Sequence, residues 1–97
     1  MKLYGKVRNI NEEYREVQYT EYREDGTIKG KGTEDFSPER FRKLKYFEIF
    51  QKTGKQNKGG HDTWEQIGWF RCSGESRKAG KIARLIYGND IQMRRIF

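Results

Sequence analysis

Apolar and polar residues alternate through much of this chain, and the alternation is broken by a few well-marked turns. Leu3 to Arg8 reads as a first strand, turned by Asn9-Ile10-Asn11. Tyr14 to Arg23 and Ile28 to Thr33 are rich in β-formers and flank Glu24-Asp25-Gly26-Thr27. Asp-Gly is the favoured pair of a two-residue type I′ hairpin, which needs positive φ at both positions. That turn pairs Tyr22 with Lys29, Glu21 with Gly30, Thr20 with Lys31 and Tyr19 with Gly32. Side chains alternate along a strand, so Gln18, Thr20, Tyr22, Lys29, Lys31 and Thr33 share a polar, basic face. Val17, Tyr19, Ile28 and the two glycines share the other, with Tyr19 covering the gap at Gly32.

Ser37-Pro38-Glu39 predicts a helix start: a capping hydroxyl, Pro at the first helical position and an acid in the first turn. Phe41 and Leu44 give its buried side. Beyond Leu44 the helical period fails, because Tyr46, Phe47, Ile49 and Phe50 would point all around a helix. A strand from about Lys45 puts Phe47 and Ile49 on one face and Tyr46 and Phe50 on the other. Thr53 to Thr63 holds three glycines and two lysines and no apolar residue, which reads as a flexible hairpin loop. Trp64 to Cys72 returns as a strand, and Gly68 inside it marks a bulge or a close backbone approach. Between Ser73 and Gly88, Ala79, Ile82, Ala83 and Ile86 fall at i, i+3, i+4 and i+7, an amphipathic helix ended by Gly88-Asn89. Gly80 opposes it, and the alternative is a hairpin of Lys81–Tyr87 with Ile91–Phe97. The fold class is therefore α+β in one domain, a bent antiparallel sheet of about five strands with one short and one longer helix.

Charge changes the picture more than length does. Twenty-one Lys and Arg against fourteen acids give a net charge of +7, interleaved with two Trp, six Tyr and six Phe. Cations neutralise phosphates and flat rings stack on bases, so the composition points to nucleic acid, single-stranded in preference to duplex. An acidic protein surface is the competing partner, for which the chain would act as a small basic adaptor or inhibitor. No stretch approaches a membrane span, and Met1 to Lys6 lacks the apolar run of a signal peptide. Cys72 is the single cysteine, so no internal disulfide forms; the expected setting is reducing and cytoplasmic.

Three constellations are candidate binding sites. Tyr22, Lys29 and Lys31 share the basic hairpin face, where a solvated sheet is the ordinary alternative. Arg77, Lys78, Lys81 and Arg84 would line one side of the second helix, with Arg77, Lys81 and Arg84 as a stripe and donors from the helix start near Ser76. Lys52, Lys55 and Lys58 sit in or beside the loop flanked by Phe50 and Trp64. Trp64 and Trp69 have opposite parity, so a regular strand exposes at most one, whereas a bulge at Gly68 puts both on one side. Arg71 completes the candidate nucleic-acid set.

Enzyme readings find no support. Gly74 to Lys81 imitates a phosphate-binding P-loop, but its spacing is one residue too long and Ile82 replaces the hydroxyl residue that holds Mg²⁺. His61-Asp62 hints at acid–base work in a small nuclease, yet a lone His in a Gly-rich loop is ordinarily solvated. Arg71 beside Cys72 would lower the thiol pKa, but no His partners it. One Cys and one His do not assemble a zinc site, and no cofactor is expected.

Tyr19 to Leu44 resembles the single-stranded-DNA-binding domain of the transcriptional coactivator and whirly-like family. Gly30-Lys31-Gly32 is similar to that family's hairpin end, and Phe36-Ser37-Pro38-Glu39-Arg40-Phe41 to its helix start. The resemblance implies a curved sheet that holds single-stranded nucleic acid across it, often as a homodimer, with Tyr22, Lys29 and Lys31 in binding roles.

Overall fold

The computed structural model describes residues 1–96. Strands β1 (Lys2–Asn9), β2 (Arg15–Tyr22) and β3 (Ile28–Phe36) lead into helix α1 (Pro38–Arg42). Strands β4 (Lys45–Gln56) and β5 (Asp62–Cys72), helix α2 (Ser76–Tyr87) and strand β6 (Ile91–Arg95) follow. All pairings are antiparallel, in one open α+β sheet of order β3-β2-β1-β5-β4-β6. The join at its centre is narrow: β1 and β5 share one pairing, Tyr4 with Arg71.

Alternation along β1 sends neighbours into different cores. Leu3 joins Phe47, Ile49, Phe70 and Cys72 beneath Ala79, Ile82 and Ala83 of α2. Tyr4 points the other way and packs with Val17, Phe36 and Leu44, with Phe41 of α1 at the margin. Ser37 caps α1 as its sequence demands, its Oγ accepting from Arg40 N at 3.3 Å. The switch to a strand after Leu44 buries Phe47 and Ile49 and leaves Tyr46 and Phe50 half-buried on the opposite face.

Residues 76–87 resolve as the helix, so the hairpin alternative for this stretch is wrong. Gly80 costs about 1 kcal/mol in helix propensity, but it is buried where a methyl group would stand 3.5 Å from Met93 Cε. A small residue there lets α2 lie close to the sheet. Gly88, at φ +98°, ends the helix and donates its N–H to Arg84 O at 2.9 Å. Residues 91–95, freed from that hairpin, add a sixth strand by pairing with β4. Phe97, the last residue of the hairpin alternative, lies outside the described residues.

Two turns differ from expectation. No non-glycine residue among those described has positive φ, which rules out a type I′ turn at Asp25-Gly26. Within this turn only Gly26 is left-handed, at +87°; its N–H bonds Arg23 O at 3.0 Å, and Arg23 N bonds Thr27 O at 2.8 Å. This is a three-residue loop with a glycine bulge. Asp25 stabilises it by accepting from Thr27 N at 3.0 Å and Thr27 Oγ1 at 2.6 Å. Tyr22 therefore pairs with Ile28, and Lys29 becomes the extra residue, although Glu21–Gly30, Thr20–Lys31 and Tyr19–Gly32 pair as expected. The second difference is the 53–63 segment. Strands continue into it, tied by the Thr53 and Thr63 hydroxyls, and the turn shrinks to 57–61, where Asn57 Oδ1 accepts from Gly59 N and His61 N.

Candidate nucleic-acid interface

Helix α2 covers one face of β4, β5 and β6; the opposite face carries rings. On β4 that face presents Tyr46, Glu48, Phe50 and Lys52. Across from them on β5 stand Arg71, Trp69, Gln66 and Trp64. The parity of the two tryptophans is reconciled by a bulge: Ile49 pairs with Gly68 and Phe50 with Gln66, so Ile67 is the unpaired extra residue. Trp64 and Trp69 then share a side and are 40% and 38% exposed. Gly68 is also a site of close approach, because a Cβ there would lie 2.5 Å from the Tyr87 hydroxyl.

Cations and rings interleave along this surface. Arg71 Cζ lies 4.6 Å from the Phe41 ring centre, 4.8 Å from Tyr46 and 5.9 Å from Trp69. Tyr46 and Trp69 are 5.8 Å apart, tilted by 45°. Arg15 stacks on Phe41 at 5.1 Å, and Arg40 on Phe36 at 4.5 Å. At the other end Lys52 Nζ is 5.6 Å from the Trp64 ring and 3.3 Å from Asp62. Burial pushes the Arg71 pKa down; Tyr46 opposes the shift, and the charge on Arg15 adds to it more weakly. Among the described residues neither arginine has a carboxylate partner, the ion pairs being Lys2–Glu34 and Lys52–Asp62. Two like charges thus share one ring, neither of them in an ion pair among the described residues. Arg94 also reaches this side, opposite Glu48, and lines a hollow with Phe50 and Trp64.

The thirteen residues singled out by sequence separate onto different surfaces. Lys52, Trp64, Trp69 and Arg71 come together here. Lys55 and Lys58 are exposed near the far end of the β4–β5 hairpin. Tyr22 and Lys31 border a groove beside α2, and Lys29 sits at the hairpin bulge. Arg77, Lys78, Lys81 and Arg84 are exposed along α2, with the sheet between them and the tryptophans. Sequence reasoning missed Arg15, Phe41, Tyr46, Phe50 and Arg94 as site residues. The opposite parity of Tyr46 and Phe50 to the core pair Phe47 and Ile49 was the available signal; Arg15 and Phe41 arrive only through tertiary packing.

Other candidates change character in the structure. Arg71 points away from Cys72, whose thiol pKa is raised by burial, with Lys45 and Arg95 opposing weakly. The 74–81 segment enters α2 beside an antiparallel sheet, not the parallel strand a P-loop needs. His61 is exposed in its turn. Among the described residues no cluster suits a metal ion, and no helix is long and apolar enough to cross a membrane. No family model, curated protein or solved structure matches this chain.

Proposed function

We propose that this protein binds single-stranded nucleic acid across the face of β4, β5 and β6 opposite α2. The observation that carries the reading is the pair of exposed tryptophans on one face, set among Lys52, Arg71 and Arg15. Bases stack on the rings whatever their identity, and the cations follow the phosphates, so binding is tolerant of sequence. The rings run along two paired strands rather than forming one compact cluster, which suits an extended polymer better than a protein hot spot. A reducing, cytoplasmic setting is consistent with an unpaired, buried Cys72.

The test is anisotropy of a labelled mixed-sequence oligonucleotide at low salt. Trp64 is the variant of choice because its ring carries Lys52 and is among the most exposed large apolar side chains described. A stacked base contributes about 1–3 kcal/mol, so Trp64→Ala should weaken binding roughly 5- to 150-fold for every sequence tried. Unchanged affinity would reject the reading, as would binding that depends on one sequence only.

A further inference from the structure

The narrow join between β1 and β5 has a chemical consequence. Among the described residues, the facing edges of these two strands form no strand pairing beyond Tyr4–Arg71, although both lie in the middle of the sheet. The β1–β2 register is irregular between Tyr4 and Val7, in the stretch of β1 that borders the gap. Backbone donors and acceptors in such a place need partners from outside the fold. The gap widens into a cavity of about 570 Å³, which lies within the range of small-molecule sites.

Its lining is chemically one-sided. Lys6 and Lys31 border it, no carboxylate does, and neither lysine takes part in an ion pair among the described residues. Tyr22, Tyr87 and Trp69 supply ring surface, and Gln18, Thr20 and Thr33 supply short polar groups. Trp69 belongs to the face opposite α2, whereas Tyr22 packs towards α2, so the gap is bordered from both sides of the sheet. An apolar ligand would leave the edge groups and lysines unmatched, and a cation would meet like charge. A planar, hydrogen-bonding, anionic ligand matches every part.

We propose that this split is a binding site for one nucleotide unit. The base lies against Tyr22 and Tyr87 with its edge on the open strand edges and Trp69 at the far mouth of the gap, and the phosphate lies at Lys6 and Lys31. The site does not require strand binding at Trp64. Its occupant is either a free mononucleotide or one unit of a longer strand.

The test titrates the chain separately with AMP, CMP, GMP and UMP and follows backbone amide shifts. The expected result is saturable shifts centred on Gly5, Lys6, Lys31 and Phe70, with inorganic phosphate and the unphosphorylated nucleosides binding more weakly. The exposed pair Lys6→Ala/Lys31→Ala should raise the monophosphate Kd about tenfold or more. Arg42→Ala/Lys43→Ala, which removes equal charge from α1, should leave it unchanged. Equal losses in both double variants would reduce the effect to bulk charge and overturn the site. So would shifts mapping elsewhere, an absence of saturation at millimolar monophosphate, or phosphate alone binding as tightly as the nucleotide. Trp64→Ala separates the two proposals: monophosphate binding should survive it even where oligonucleotide binding is lost. An oligonucleotide that competes with the monophosphate identifies a strand unit as occupant, and additive binding identifies the free nucleotide.

Discussion

Gly68 is the residue on which the shape of the tryptophan face turns. It is not among the positive-φ glycines, so backbone conformation does not demand it. Space does. A Cβ at this position would stand 2.5 Å from Tyr87 Oη, 2.9 Å from Cζ and 3.2 Å from Cε1, all closer than ordinary contact. Tyr87 ends α2 and packs on the core beneath it, so its ring can yield only towards the cavity it borders, at the expense of that packing. Overpacking of this kind costs about 1–3 kcal/mol. Set against it, Ala in a strand gains about 0.5–1 kcal/mol over Gly. Gly68→Ala should therefore destabilise by about 0–2.5 kcal/mol, centred near 1 kcal/mol, which lowers Tm by roughly 4–8 °C at the centre of that range for a domain of this size. In a Tyr87→Leu background the three contacting atoms are gone, and the same substitution should become neutral or stabilising. The assay is urea denaturation of the four proteins of that cycle, with an expected coupling of about 2 kcal/mol. An equal effect of Gly68→Ala in both backgrounds would refute the steric account.

The remaining predictions concern salt and pH. With Arg15, Arg71 and Arg94 on phosphates, and Lys52 added when released from Asp62, log affinity for a single strand should fall against log salt with a slope of about −2 to −3. That is a loss of roughly 20- to 50-fold between 50 and 200 mM salt, and a flat response in the same titration would rule out phosphate contact as the source of affinity. The Glu34 carboxylate accepts a 2.5 Å hydrogen bond from the Tyr4 hydroxyl and lies 3.5 Å from Lys2, which hold its pKa below the usual value. The unfolded chain binds that proton more readily, so the stabilisation is present above the ordinary Glu pKa and is lost as pH falls through the folded one. Denaturant midpoints of Glu34→Gln should accordingly decline less steeply on acidification than those of the native chain. At the alkaline end the signs reverse. Burial raises the pKa values of Tyr4, Tyr87 and Cys72, so their stabilisation is present below the unfolded pKa values and lost as pH rises through the folded ones. Cys72→Ala should delete the part of this loss that begins at about pH 8.5, read from thermal melts, while leaving the tyrosine part at higher pH.

What the sequence made legible is what short-range chemistry decides. Ser37-Pro38 carries its own cap and its own φ, and α1 starts where those two residues put it. Phe47 and Ile49 alternate with Tyr46 and Phe50, and no helical face accommodates all four. The misread positions were decided by contacts between segments distant in sequence. Asp25-Gly26 is equally compatible with a two-residue turn and with the three-residue loop. The shift of one residue there moved Tyr22 from Lys29 to Ile28 and divided a candidate site. Ile91 to Arg95 has the alternation of a strand, but its partner is β4, some forty residues back, and nothing local names that choice. The two tryptophans needed the bulge at Ile67, which the close packing of Gly68 against Tyr87 accompanies. Arg15 and Phe41 meet because β2, β3 and α1 converge, and no spacing in the chain announces it.

The charge on the ring-bearing face has an energetic oddity that bears on its use. Exposed Trp on an open sheet invites association between copies, and a cation stacked on the ring is one way to keep the surface hydrated. Lys52 over Trp64, paired with Asp62, already serves that purpose in the free fold. Arg71 does not fit it. Its guanidinium is partly desolvated among three rings, with Arg15 on one of the same rings and neither arginine in an ion pair among the described residues. Cation–π attraction of about 0.5–2 kcal/mol per contact offsets part of the desolvation, but not the repulsion between the arginines. A chain selected for stability alone would gain by placing a carboxylate there, and Glu16, next to Arg15 in sequence, forms no such pair. The residual repulsion is relieved by an anion arriving from solution. Under the proposed reading that anion is a phosphate of the bound strand, which supplies the counter-charge that no ion pair gives these two arginines in the free fold.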